Sequence, residues 1–176
     1  MINKTFKLAA CLISLVLLTA CSEPGSNPVA TATPSPAKAL TTSLNFVTAS
    51  IAKVDVPSGG SIEAVVNVQV RNGYHVNANP ATDPYLKATE VVPQPAEGIT
   101  VGYVKYPNAL KKKFSFSDKE LAVYEGEVPI KVMLKADKAA AKGPHKLAAK
   151  LNVQACDDQV CYAPGTMELS LPIVVN

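Results

Sequence analysis

The stretch Ile62-Glu63-Ala64-Val65-Val66-Asn67-Val68-Gln69-Val70-Arg71 decides the fold of this chain. Ile62, Ala64, Val66, Val68 and Val70 alternate with Glu63, Asn67, Gln69 and Arg71. Successive side chains of an extended strand point to opposite faces, so this alternation gives one buried face and one wet face. The same period recurs further on. Val128, Ile130, Val132 and Leu134 alternate with Lys131 and Lys135; Leu147, Ala149, Leu151 and Val153 alternate with Lys146, Lys150 and Asn152. Met167, Leu169, Leu171, Ile173 and Val175 alternate with Glu168 and Ser170. Turn-forming clusters separate these runs: Pro57-Ser58-Gly59-Gly60, Asn79-Pro80, Pro93-Gln94-Pro95, Glu125-Gly126 and Gly143-Pro144. The single helix-favouring stretch, Asp137 to Lys142, is short and reads as a loop turn. Several short strands without intervening helices predict an all-β sandwich. The run from Ser43 to Asn176, about 135 residues, is long enough to bury a core without covalent staples.

The N-terminus reads as an export signal. Lys4 and Lys7 precede an apolar run from Leu8 to Leu18 that is too short to span a bilayer. Leu18-Thr19-Ala20-Cys21 follows and resembles the bacterial lipobox, which implies cleavage before Cys21 and attachment of lipid to it. Residues 21–42 are rich in Pro, Ala, Ser and Thr and hold almost no large apolar side chain, so they cannot fold alone. They read as a tether, about 25 Å long as a flexible coil. The expected organisation is a signal peptide over 1–20, a lipidated cysteine and tether over 21–42, and one folded domain over 43–176. The expected location is the bacterial cell envelope, on a lipid anchor facing the periplasm. Loss of Lys4 and Lys7 with the signal takes the formal charge from +3 to +1. That balance offers no footprint for nucleic acid.

Cys11 lies within the export signal and Cys21 at its cleavage point, which leaves Cys156 and Cys161 as the pair of the mature domain. In an extended strand these two would lie roughly 16 Å apart. A disulfide requires Cα atoms within about 7 Å, so a disulfide demands a turn between them. Asp157 and Asp158 suit such a turn, because their side chains cap local backbone groups. The strand pattern ends at Gln154 and resumes near Thr166, which puts the pair at a hairpin tip or sheet edge. Two readings stand: a structural staple or a working redox couple. A staple over so small a loop contributes only about 2 kcal/mol in the chain-entropy model. Zinc lacks a second Cys or His pair at ligand spacing. Copper(I) would suit the two thiolates with Met167 or His75, but nothing in the spacing gathers those side chains, and no metal is expected. The acidic neighbours disfavour a thiolate, which fits a reducing couple. No Ser-His-Asp set, carboxylate pair or phosphate loop stands out, and His145 after Gly143-Pro144 reads as an exposed turn residue.

Four stretches carry a resemblance: Gly73-Tyr74-His75-Val76-Asn77-Ala78-Asn79-Pro80; Val104-Lys105-Tyr106-Pro107; Val123-Tyr124-Glu125-Gly126; and Gln154-Ala155-Cys156 through Cys161-Tyr162-Ala163-Pro164. In that order they resemble the N-terminal periplasmic domain family of the thiol:disulfide interchange protein DsbD. The resemblance implies an immunoglobulin-like sandwich in which Cys156 and Cys161 are the exchanging pair. It implies thiol:disulfide exchange, as a component of protein-disulfide reduction, without a cofactor. Electrons would arrive from a thioredoxin-like donor and a membrane electron transporter acting in trans, and pass on to periplasmic thiol proteins. By the family's roles Cys161 attacks the partner and Cys156 resolves the mixed disulfide. An aromatic side chain of a cap loop shields the pair at rest. The corresponding segment is Lys111-Lys112-Lys113-Phe114-Ser115-Phe116-Ser117-Asp118, with Phe116 the first choice for the cap and Phe114 the second. Tyr162 and Pro164 would shape the rim. The segment is lysine-rich, and Ala163 stands where the first proline of a Pro-Pro pair is common. The rival expectation is an immunoglobulin-like interaction module with a purely structural disulfide.

Overall fold

A computed structural model describes residues 41–176. The predicted signal peptide, Cys21 and all but the last two residues of the tether lie outside the described residues.

The chain enters through a 3-10 turn, Ser43–Asn45, and then forms only strands. These are β1 (Val47–Ile51), β2 (Val54–Val56), β3 (Ser61–Val70), β4 (His75–Asn77), β5 (Glu90–Pro93), β6 (Ile99–Lys105), β7 (Leu110–Lys112), β8 (Leu121–Tyr124), β9 (Glu127–Ala136), β10 (Gly143–Val153), β11 (Ala155–Cys156) and β12 (Gly165–Val175). Asp137 to Lys142 is a loop. The four strands with the clearest alternation are the longest ones, β3, β9, β10 and β12.

They form two sheets. One has the order β1-β3-β9-β6 and is antiparallel throughout. The other has the order β2-β12-β10-β5, with β2 parallel to the last strand. The chain thus changes sheet between β1 and β2. The buried faces meet in one core: Val66 and Val68 of β3, Ile130, Val132 and Leu134 of β9, Leu147 and Leu151 of β10, and Leu171 and Ile173 of β12 are all buried within it. Their alternate neighbours Gln69, Lys131, Lys135 and Lys150 are exposed. Burial of one face by a partner sheet is what a period-two pattern demands. The domain is an immunoglobulin-like, all-β sandwich, as expected. One detail differs: Gly143-Pro144 begins β10 rather than ending a loop, and His145 is a strand residue opposite Ile173.

A third, small sheet lies at one end, in the order β11-β4-β8-β7. Its strands have two to four residues. β4 follows β3 after the turn Arg71-Asn72-Gly73, where Gly73 has φ +82°, a left-handed conformation that suits glycine. β11 follows β10 after the single residue Gln154. Two long sandwich strands therefore run on into this sheet and deliver His75 and Cys156 side by side.

Candidate functional site

Cys156 and Cys161 form a disulfide with Cα atoms 3.9 Å apart. The turn between them closes on itself. Cys156 and Cys161 are antiparallel bridge partners. The Asp157 N–H donates to Val160 O (3.0 Å), and the Tyr162 N–H donates to Ala155 O (2.9 Å). Of the two aspartates, Asp157 does the capping. Its Oδ1 accepts the N–H groups of Gln159 (2.8 Å) and Val160 (2.9 Å), and its Oδ2 accepts the Tyr162 hydroxyl (2.7 Å). These three donors hold its carboxyl below the usual carboxylate range, the Tyr162 hydroxyl first. In return the Asp157 carboxylate, with burial second, pushes the Tyr162 phenol up to about 12.

The arms of the turn are tied down by side chains distant in sequence. Buried Ser43 donates its hydroxyl to Ala163 O (2.7 Å) and accepts the Ala155 N–H (2.9 Å). Gln154 Oε1 accepts from Asn77 Nδ2 (3.1 Å) and from the Lys87 N–H (2.9 Å). Gly165 leaves the turn beneath Leu44, where a Cβ would stand 2.5 Å from Leu44 Cγ, so any other residue would force the Leu44 side chain out of its place. Sequence reasoning missed Ser43 and Gln154. Both are polar residues beside apolar ones, but nothing local says which partners they meet.

The two cysteines are unequally placed. Cys156 is 0% exposed, and Cys161 is partly exposed. Cys161 lines a cavity of about 350 Å³ together with Phe116, Val160, Tyr85, Leu86 and Gln154. Phe116 is 38% exposed, and Tyr85 and Val160 are more so, which makes the mouth of this cavity apolar. Phe114 is 6% exposed and packs in a satellite core with Leu121, Val123 and Leu86. It is sandwiched by stacking between His75 (centroids 4.1 Å apart) and Phe116 (5.4 Å). Ser115 between them donates its hydroxyl to Asp158 O (2.9 Å), tying this segment to the cysteine turn. Both candidate cap residues thus reach the site, Phe116 at its surface and Phe114 beneath. Tyr162 packs against Phe46 (4.5 Å) and Tyr74 (6.1 Å). Pro164 is exposed and borders a separate groove of about 480 Å³ with Asn79, Lys87 and Glu90.

His75 stands directly opposite Cys156 in the β4–β11 pairing. Burial holds its pKa below the ordinary imidazole value, against the pull of Glu125 and Asp158. Met167 is elsewhere, opposite Leu151 in the sandwich. Among the described residues, no group of three or more His, Cys, Asp or Glu side chains is arranged to hold a metal ion. The site thus holds one S–S bond between a buried cysteine and a partly exposed one.

The sequence model of the family Thiol:disulfide interchange protein DsbD, N-terminal, matches residues 44–172, well over half of the chain. Comparison with curated proteins gives no match. Among solved structures, the N-terminal domain of DsbD from Neisseria meningitidis in its reduced form is similar at 18% identity, with 72% of this chain and 83% of that one covered and a TM-score of 0.45. The N-terminal periplasmic domain of ScsB from Proteus mirabilis is similar at 17% identity and a TM-score of 0.46, covering 72% of this chain but 44% of that one. A type I cohesin from Pseudobacteroides cellulosolvens reaches the same TM-score, 0.46, at 15% identity, covering 74% of this chain and 92% of its own. These likenesses do not separate a redox domain from a cohesin, so the assignment rests on the family match, which runs from residue 44 through the cysteine hairpin to residue 172 in the last strand: the chain belongs to the DsbD N-terminal family of thiol:disulfide interchange proteins.

Proposed function

We propose that this domain is an electron shuttle in the bacterial periplasm. It cycles Cys156 and Cys161 between dithiol and disulfide. Electrons come from a thioredoxin-like protein fed by a membrane electron transporter in trans, and go to periplasmic thiol proteins. Cleavage before Cys21 and its lipidation hold the domain at a membrane through the tether of residues 21–42. Among the described residues no helix is long and apolar enough to cross a membrane.

The observation that carries this reading is the asymmetry of the pair: a disulfide with one sulfur-bearing residue buried and the other beside an apolar-mouthed cavity. Exchange needs one sulfur that a partner can reach and a second that resolves the mixed disulfide. Cys161 suits the first role and Cys156 the second. Phe116 caps Cys161, Phe114 backs it, and Tyr162 and Pro164 form the rim. A purely structural disulfide is the poorer account. The turn is already closed by two backbone hydrogen bonds, the Asp157 cap and Ser43, so a staple there has little left to do.

Trapping tests the proposal. Cys156→Ser leaves Cys161 without its resolving thiol and should accumulate covalent complexes with thioredoxin-like proteins on non-reducing gels, lost on reduction. Cys161→Ser should trap far less. Equal trapping would overturn the order of attack alone. No trapping by either variant, together with a wild-type reduction potential below about −300 mV, would make the disulfide structural.

A further inference from the structure

Two buried polar atoms of the site have no hydrogen-bond partner among the described residues, Asn77 Oδ1 and His75 Nε2. His75 is 2% exposed, and its Nε2 makes no hydrogen bond. A buried nitrogen in that condition is costly, and its persistence asks for an explanation. The pairing of β4 with β11 puts His75 directly opposite Cys156. Side chains at directly opposed antiparallel positions lie on the same face, with Cβ atoms roughly 5 Å apart. Phe114 covers the face of the imidazole ring at 4.1 Å. The disulfide sulfur of Cys156 carries no proton to offer. The reduced thiol would.

We propose that His75 is the proton acceptor for the Cys156 thiol, and that its unpaired Nε2 belongs to the oxidised half of a cycle whose reduced half supplies the missing donor. This rests on the shuttle reading and on Cys156 as the resolving thiol. In the resolving step Cys161 is joined to a partner sulfur. The Cys156 S–H gives its proton to His75 Nε2, and the thiolate attacks the Cys161 sulfur. The Cys156–Cys161 bond forms and the Cys161–partner bond breaks. The electron pair leaves on the partner sulfur, which takes up a proton from water or from the imidazolium. The domain's dithiol is oxidised by two electrons, and the partner disulfide is reduced by two.

The surroundings explain the need. A thiol buried away from water resists ionisation, so Cys156 alone would be a poor nucleophile. The charged groups facing the ring are Glu125 from the turn after β8, Asp157 and Asp158 from the cysteine turn, and Lys112 from β7, which itself pairs with Glu125 (2.6 Å). Burial outweighs the carboxylates and favours the neutral ring, the form able to accept a proton.

The test uses the fully reduced domain and 5,5′-dithiobis(2-nitrobenzoate) in stopped flow. Two thionitrobenzoate anions are released in sequence, the first by attack of Cys161 and the second by resolution through Cys156. His75→Gln and His75→Phe should leave the first phase unchanged. They should slow the second at neutral pH by at least ~100-fold, the low end of general-base effects, and shift its pH profile upward. An unchanged second phase with an unchanged profile in a folded variant would overturn the proposal. Should neither variant fold, Cys161→Ser with native His75 gives the answer. Thiolate absorbance of Cys156 and the NMR shift of the His75 ring should then titrate together; independent titrations would overturn it. Exchange of wild-type domain with a thioredoxin-like protein is measured in parallel. If that exchange fails while the second phase still depends on His75, the shuttle reading falls and the proton acceptor stands.

Discussion

The sandwich and the small cysteine-bearing sheet are held together by different physics. In the sandwich, strands of ten and eleven residues bury one face each in a common apolar core. In the small sheet, strands of two to four residues lend only Val76, Tyr124 and Ala155 to that core and add a satellite cluster of Phe114, Leu121 and Val123. There, geometry is set mainly by polar clasps: Ser43 across the hairpin arms, Gln154 to Asn77, Asp157 within the turn, and Ser115 to Asp158. Apolar area is non-directional and supplies stability in bulk, whereas hydrogen bonds fix direction at about 1 kcal/mol each net. In the proposed cycle, such a division would let the cysteine hairpin change its covalent state while the sandwich core stays intact.

The largest break in this comparison should come from the sandwich. Leu151 is fully buried between Met167 and Val91 of its neighbouring strands. Leu151→Ala should cost about 2–5 kcal/mol in denaturant unfolding. A loss below about 1 kcal/mol would mean that the core is not where the stability resides.

The hairpin should tolerate far more. Cys156→Ser with Cys161→Ser should cost about 2 kcal/mol or less and leave the domain folded, because the closed loop is short. Circular dichroism and a denaturant melt decide it. A double variant unfolded at room temperature would abolish the contrast between the two regions and favour the structural disulfide.

The same contrast explains what was legible in the sequence. The alternation in β3, β9, β10 and β12 exists because each strand has one face against the core and one toward water along most of its length, so its buried side could be read from the period; the inward residues near the strand ends, Ile62, Met167 and Leu169, are only half-buried. β4 and β11 are too short to express any period, and their pairing joins residues about eighty positions apart. Nothing near Cys156 announces that His75 is its neighbour, and nothing near Ser43 announces Ala163. The turn itself was local and therefore readable, although its capping falls to Asp157 alone. The cap segment was half readable. Two aromatic residues among lysines mark a place where apolar rings are needed, but only packing separates buried Phe114 from half-open Phe116.

That separation can be sharpened. Phe116 is 38% exposed against 6% for Phe114, so Phe116→Ala should cost less stability than Phe114→Ala while speeding alkylation of Cys161 in the reduced domain several-fold. Phe114→Ala removes a buried ring and should cost about 3 kcal/mol. Alkylation rates equal to wild type in Phe116→Ala would remove the cap from the proposed mechanism.

The smallest effect concerns the Asp157 clasp, and its sign follows from linkage. The folded pKa of Asp157 lies below its ordinary value of 3.8, because the Tyr162 hydroxyl and two backbone N–H groups donate to the charged form. The unfolded chain therefore takes up a proton first as pH falls. The clasp is at full strength above that ordinary value and is lost as pH drops through the folded pKa. Asp157→Asn keeps an acceptor oxygen but cannot titrate. Its melting temperature should lie slightly below wild type at pH 7, and the gap should close on going to pH 3 and below. Tyr162→Phe removes the leading donor, so it should shrink the acid-dependent loss while leaving the aromatic packing on Phe46 and Tyr74 in place. A gap that stays constant from pH 7 to pH 3 would show that the carboxylate's charge contributes nothing to holding the cysteine turn.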